Sequence, residues 1–100
     1  MKTCWILAFA VVPAFAATAA NITVVQKSRA FRPGEVTINR GDALTFTNAD
    51  SFVHQIYLDG QFDSDEKGPG EIINQTFPRS GTFQVRCHIH PTMKLTVHVK

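Results

Sequence analysis

Beyond residue 20 the apolar side chains of this sequence fall on every second position. Val36 and Ile38 flank Thr37, and Leu44 and Phe46 flank Thr45. Phe83, Val85 and Cys87 alternate with Gln84 and Arg86, and Leu95, Val97 and Val99 alternate with Thr96 and His98. A period of two sends all the apolar groups of a segment to one side of an extended chain and all the polar groups to the other, so each segment reads as a strand with one buried face. A helical period of 3.6 is sustained nowhere in this region. Turn signals punctuate the runs at Arg32-Pro33-Gly34, Arg40-Gly41-Asp42, Leu58-Asp59-Gly60, Lys67-Gly68-Pro69-Gly70 and Pro78-Arg79-Ser80-Gly81. The pattern predicts strands near 21 to 26, 35 to 39, 42 to 48, 53 to 58, 71 to 77, 81 to 87 and 94 to 99, folded as a small all-β, two-sheet antiparallel sandwich.

Residues 1–20 follow a different logic. Lys2 precedes an apolar run from Trp5 to Val12, then Pro13 and a series of small residues that includes Ala14-Phe15-Ala16 and Ala17-Thr18-Ala19. The run is too short for a membrane-spanning helix, which needs about 20 apolar residues. Its order of charge, apolar stretch and small residues predicts a secretory signal peptide cleaved between Ala16 and Ala20. Residues 21–100 then form one domain of an exported protein, in the periplasm if the host is Gram-negative. No membrane span is expected after signal removal.

Of the two cysteines, Cys4 belongs to the signal and Cys87 remains alone. A small exported domain normally reinforces its core with disulfides or a metal, and one cysteine permits no internal disulfide. The charge balance, 10 Lys and Arg against 8 Asp and Glu for a net charge of +2, excludes nucleic acid as the main partner.

The run Gly81-Thr82-Phe83-Gln84-Val85-Arg86-Cys87-His88-Ile89-His90-Pro91-Thr92-Met93 ends a strand in a loop that carries a thiol, an imidazole three positions on and a thioether three further. Cys87 follows Phe83 and Val85 on the inward face, and a tight loop can fold His90 and Met93 back towards the same centre. A fourth group has to come from elsewhere. His54 in Phe52-Val53-His54-Gln55-Ile56-Tyr57 shares a face with Ile56 and Leu58. Two imidazoles, one thiolate and a weak thioether are the ligand types of a blue-copper electron-transfer site. The competing histidines fall elsewhere: His98 alternates outward with Thr96 and Lys100, and His88 faces away from Cys87 towards loop or solvent.

The Gly-Thr-Phe-x-Val-x-Cys-x-x-His-Pro-x-Met run, the upstream His54 and the closing Val97-His98-Val99 strand resemble the cupredoxins, with the loop spacing most like the amicyanin, pseudoazurin and plastocyanin group. The resemblance implies a cupredoxin-like Greek-key sandwich. It implies one copper ion with His54, Cys87 and His90 as equatorial ligands and Met93 as the axial one, the His90 ring edge reaching the surface. It further implies single-electron shuttling via Cu(I) and Cu(II) between larger redox proteins of cytochrome or dehydrogenase type, by a monomer that is not itself an enzyme. Relatives commonly place Asn after the upstream His, bonded to Ser or Thr after the Cys. Here Gln55 and His88 occupy those positions, so an amide facing an imidazole is expected to remake the tie. The resemblance also marks Phe52, Ile89 and Pro91 as an apolar docking rim.

Three alternatives use the same residues. A carrier that delivers Cu(I) without redox cycling needs the same ligands. A thiol hydrolase at Cys87 lacks an orienting third group and points its sulfur inward. A zinc site sits poorly with Met93 as a ligand. The acidic segment from Asp59 to Glu66 reads first as a solvated loop, with steering of a basic partner as the functional alternative. Asn21-Ile22-Thr23 and Asn74-Gln75-Thr76 match glycosylation acceptors by pattern alone.

Overall fold

In the computed structural model, residues 21–100 are described. The expected signal peptide, its cleavage site and Cys4 lie outside the described residues.

Alternation becomes burial residue by residue. The described residues form β1 (Asn21–Lys27), β2 (Ala30–Arg32), β3 (Glu35–Ile38), β4 (Ala43–Asn48), β5 (Tyr57–Leu58), β6 (Phe62–Asp63), β7 (Ile72–Thr76), β8 (Gly81–Arg86) and β9 (Lys94–Val99). On β4 every second residue, Leu44, Phe46 and Asn48, is buried, and on β9 Leu95, Val97 and Val99 are. Two sheets, ordered β2-β1-β4-β7 and β3-β9-β8-β5-β6, face each other across this core. Within the expected sandwich two pairs run parallel, β1 with β4 and β3 with β9. The chain leaves the first sheet after β2, contributes β3 to the second sheet, and returns as β4 beside β1. That crossover allows β4 to run parallel to β1, because a strand reached through the opposite sheet need not reverse direction as a hairpin partner must.

Aromatic pairs pack the core within and between the sheets. Phe31 of β2 meets Phe46 of β4 edge to face inside the first sheet, with ring centroids 5.9 Å apart, and Phe62 of the second sheet meets Phe77, just beyond β7 of the first, at 5.6 Å. Such pairs add about 0.5–1.5 kcal/mol beyond their area burial.

The strand expected over 53 to 58 is reduced to Tyr57–Leu58 plus one bridge between His54 and Lys67. The reason is local. Ile56 N–H donates to Ser64 Oγ rather than to a strand backbone, and Gln55 Nε2 reaches Ser64 O. Bonds to and from side chains have replaced part of the ladder. The alternation analysis also misses β2 and β6, which at three and two residues are too short to display a period.

Candidate metal centre

The site is assembled from one end of the sandwich: the β1–β2 turn, the segment that follows β4, and the loop between β8 and β9. The first of these is a two-residue hairpin turn in which Ser28 and Arg29 both have positive φ, 55° and 56°. That left-handed geometry suits the twist of a hairpin but costs a non-glycine residue about 1–2 kcal/mol. Asp50 meets the exposed amides of the turn: its Oδ1 accepts from Ser28 N–H at 2.7 Å and its Oδ2 from Arg29 N–H at 3.3 Å.

The segment after β4 is held by buried Asn48. Its Nδ2 donates to Phe52 O at 2.8 Å and to Lys67 O at 2.9 Å, and its Oδ1 accepts from Asp50 N–H at 2.9 Å. Paired backbone bonds with Lys67 then fix His54, whose N–H donates to Lys67 O at 2.9 Å while His54 O accepts from Lys67 N–H at 2.7 Å. The His54 ring is fully buried, with Nε2 2.7 Å from Asp50 Oδ2. Its Nδ1 is buried and has no hydrogen-bond partner among the described residues.

On the other side, β8 carries Val85 into the core, and Cys87, the residue directly after its end, is buried there too. Cys87 is a free thiol with no exposure. The loop then closes on itself, as Met93 N–H donates to His90 O at 2.9 Å. This turn buries Met93 to 1% exposure and swings His90 back over the end of the sandwich. The His90 ring centroid lies 5.1 Å from that of His54, and the half-buried Phe52 ring stands edge to face against both, 5.2 Å from His54 and 5.1 Å from His90. Arg29 covers the outer side of Phe52, its guanidinium carbon 5.1 Å from the ring centre. His90 Nε2 is, like His54 Nδ1, buried without a partner.

Thus the two imidazoles expected at the site are brought into contact, and the expected thiol and thioether are buried in the same core cluster. Among the described residues no three His, Cys, Asp or Glu side chains converge into a ready-made cage. What converges is the pair of rings. Two orphaned, desolvated imidazole nitrogens are costly in a protein interior, about 1–3 kcal/mol each, and are the kind of donor that a copper ion satisfies. The donor set of two imidazoles, one buried thiol and one buried thioether fits copper and fits zinc poorly.

Electrostatics sharpen the arrangement. Burial works to raise the Asp50 pKa, but the His54 ring and the Ser28 and Arg29 amides outweigh it and hold the carboxyl below the usual carboxylate range. Burial, reinforced by the His54 ring and the Arg29 guanidinium and opposed by Asp50, pushes His90 below its ordinary value. A neutral imidazole keeps a lone pair for a metal.

The remaining histidines stay out. His98 pairs with Glu35 and with Thr82 Oγ1 on the outer face of the second sheet. The His88 ring stacks on Tyr57 with centroids 3.6 Å apart, and its Nε2 lies 3.2 Å from Asp63 Oδ2. The expected tie between Gln55 and His88 is made, but through a different atom: Gln55 Oε1 accepts from the backbone N–H of His88 at 2.8 Å, not from its imidazole. With Gln55 bonded to the main chain, the His88 ring is left to stack on Tyr57. Sequence reasoning missed Asp50 and Asn48 altogether. Neither carries a spacing signal, and both act through contacts that exist only once β1, the segment after β4 and residue 67 have been brought together.

A family model described as copper binding proteins of the plastocyanin/azurin family matches residues 18–100. Amicyanin-alpha of Methylorubrum extorquens is 34% identical over 76 residues, covering 70% of this chain and 64% of that protein. Chloroplastic plastocyanin of Tetradesmus obliquus is 32% identical over 91 residues, covering 77% of this chain and 63% of the relative. The chain therefore spans a little under two thirds of the length of these curated relatives. A solved Cu(I) form of an amicyanin variant superposes with a TM-score of 0.75 at 21% identity, over 85% of this chain and 88% of that one, a likeness of fold. With the fold, the donor types and the match over residues 18–100 in agreement, the chain belongs to the plastocyanin/azurin family of copper-binding proteins, the cupredoxins, whose metal is copper.

Proposed function

We propose that this protein is a single-electron carrier that holds one copper ion between His54, Cys87, His90 and Met93 and passes electrons between larger redox proteins. The observation that carries the reading is the contact of the His54 and His90 rings, each with one buried nitrogen that has no partner among the described residues, at the end of a core that also buries the Cys87 thiol and the Met93 thioether. Copper bound there supplies the one-electron couple. The chain's own contribution is to hold the donors in place so that little has to move between the two oxidation states.

Each residue has a physical task. Cys87, fixed at the end of β8, offers a thiolate; His54, pinned by its backbone pair with Lys67, and His90, braced by Phe52, offer imidazoles whose orientation is set by packing. Met93 offers a weak soft donor from a fully packed position, and the apolar wall of Val85, Phe83 and Ile89 excludes water from the thiol. Electrons would enter and leave at the His90 edge, the partly exposed ligand, with Phe52, Ile89 and Pro91 as the apolar rim on which a partner docks. The signal-like residues 1–20 support export, and an electron carrier of this kind needs no catalytic group of its own.

The test is titration of the protein with Cu(II), followed by visible absorption and electron paramagnetic resonance, beside Cys87→Ser. An intense thiolate-to-copper band with narrow hyperfine splitting, lost in the variant, is expected. Ordinary tetragonal copper signals, or tight binding of Cu(I) with no reversible one-electron wave, would overturn the reading in favour of a copper carrier.

A further inference from the structure

We infer that Asp50 is a positioning residue for the copper centre: its carboxylate accepts a hydrogen bond from Nε2–H of His54, which fixes the tautomer whose Nδ1 lone pair faces the site and ties the orientation of that ring to the β1–β2 turn. The inference rests on the copper reading above and extends it to a residue that touches no metal donor position itself.

Three observations meet in this one side chain. Asp50 is 7% exposed, so its charge is held out of water and has to be met by donors. The donors are three: Ser28 N–H at 2.7 Å, Arg29 N–H at 3.3 Å and His54 Nε2 at 2.7 Å. At the last of these a carboxylate acceptor requires the imidazole to carry its proton on Nε2. The same ring then has only Nδ1 as a lone pair, and Nδ1 is the atom left buried without a partner. The acceptor and the orphan thus lie at opposite nitrogens of one ring. That is the arrangement by which a carboxylate behind a metal-binding histidine sets its tautomer and raises its basicity.

The connection to the turn gives the device rigidity. Ser28 and Arg29 reach their left-handed conformation with their amides on Asp50, and Arg29 lays its guanidinium over Phe52, which braces both imidazoles. Asp50 N–H in turn donates to buried Asn48, so the carboxylate cannot drift with the loop. Negative charge placed behind the His54 ring favours Cu(II) over Cu(I), and Asp50 therefore holds the reduction potential down.

Asp50→Asn tests this with minimal change in shape. The Asn carbonyl can still accept from Ser28, whereas its amide would present N–H to His54 Nε2 and drive the proton to Nδ1. Nitrogen-15 spectra of the copper-free protein are expected to show Nε2–H for His54 in the native chain and Nδ1–H in the variant. In the copper-loaded protein the variant should lose about tenfold to a hundredfold in Cu(II) affinity relative to Cu(I). At 59 mV per tenfold for one electron, the potential would rise by about 60–120 mV. The native tautomer can be read even if the variant fails to fold. A native His54 protonated on Nδ1, or a folded variant with unchanged tautomer and potential, would overturn the inference and leave Asp50 as a clasp for the turn. Failure of the native protein to form a blue site at all would instead overturn the copper reading, whatever the tautomer.

Discussion

Gln55 Oε1 accepts a hydrogen bond from the backbone N–H of His88 at 2.8 Å, across 33 positions of sequence. One neighbour of the pair is His54 and the other is Cys87, so a single amide sets the spacing between the segment that carries the buried imidazole and the strand end that carries the thiol. Gln55 is itself buried, and its Nε2 is spent on Ser64 O.

Gln55→Ala is therefore expected to destabilise the fold by about 1–3 kcal/mol, the cost of leaving a partly buried N–H without its acceptor. It should also shift the reduction potential, because the distance between His54 and Cys87 is no longer held. Urea unfolding of the copper-free protein measures the first effect and voltammetry of the loaded protein the second. An unchanged potential and copper affinity would mean that the tie has no influence on the site.

Met93→Leu replaces a fully packed thioether by an apolar group of similar volume, and its cost in stability should stay below about 1.5 kcal/mol. The loss of a donor favours the less highly charged Cu(I), so the potential should rise while the fold survives. A potential equal to the native value would show that Met93 is packing only.

Copper removal should lower the melting temperature sharply. Metal present at 1,000 times its dissociation constant stabilises by about 4 kcal/mol, and a domain of this size gains about 4–8 °C per kcal/mol. Calorimetry before and after treatment with a chelator should therefore differ by roughly 15–30 °C. Coincident transitions would contradict a metal site linked to this fold.

The pH dependence of the copper-free protein follows from His90. Burial, with the His54 ring and Arg29 beside it, holds its pKa below the ordinary 6.5. As the pH falls below 6.5 the unfolded chain binds a proton before the folded one does, so stability declines through that value and levels only when folded His90 is also protonated. Asp50, held below its ordinary 3.8, adds a second loss further down: its contribution is present above 3.8 and disappears as the pH falls through the folded value. Urea midpoints measured from pH 7.5 to 4 should show the first decline, and His90→Gln should flatten it.

The two-sheet architecture, the inward face of each long strand and the four candidate donors could be read before any coordinates, because each depends on a local period or a short spacing. Alternation in Leu44-Thr45-Phe46 and Leu95-Thr96-Val97 dictates which side is buried whatever the strand pairs with. The three-residue steps from Cys87 to His90 and from His90 to Met93 lie within one loop, where chain geometry alone limits how far the donors can separate. Parallel pairing of β1 with β4, the reduction of the 53 to 58 strand to a bridge, and the position of Asp50 were decided elsewhere.

Those features depend on which distant segments meet. Ser64 Oγ captures Ile56 N–H only because β5 and β6 fold back on each other, and Asp50 finds the amides of Ser28 and Arg29 only because β1 and β4 lie side by side. The sequence by itself determined the periodicity, the buried faces and the chemical types of the candidate donors, since these are properties of neighbours along the chain. The tertiary structure decided which nitrogen of His54 is engaged and which is left open, because that choice rests on a carboxylate whose place is set by a hairpin 22 positions away.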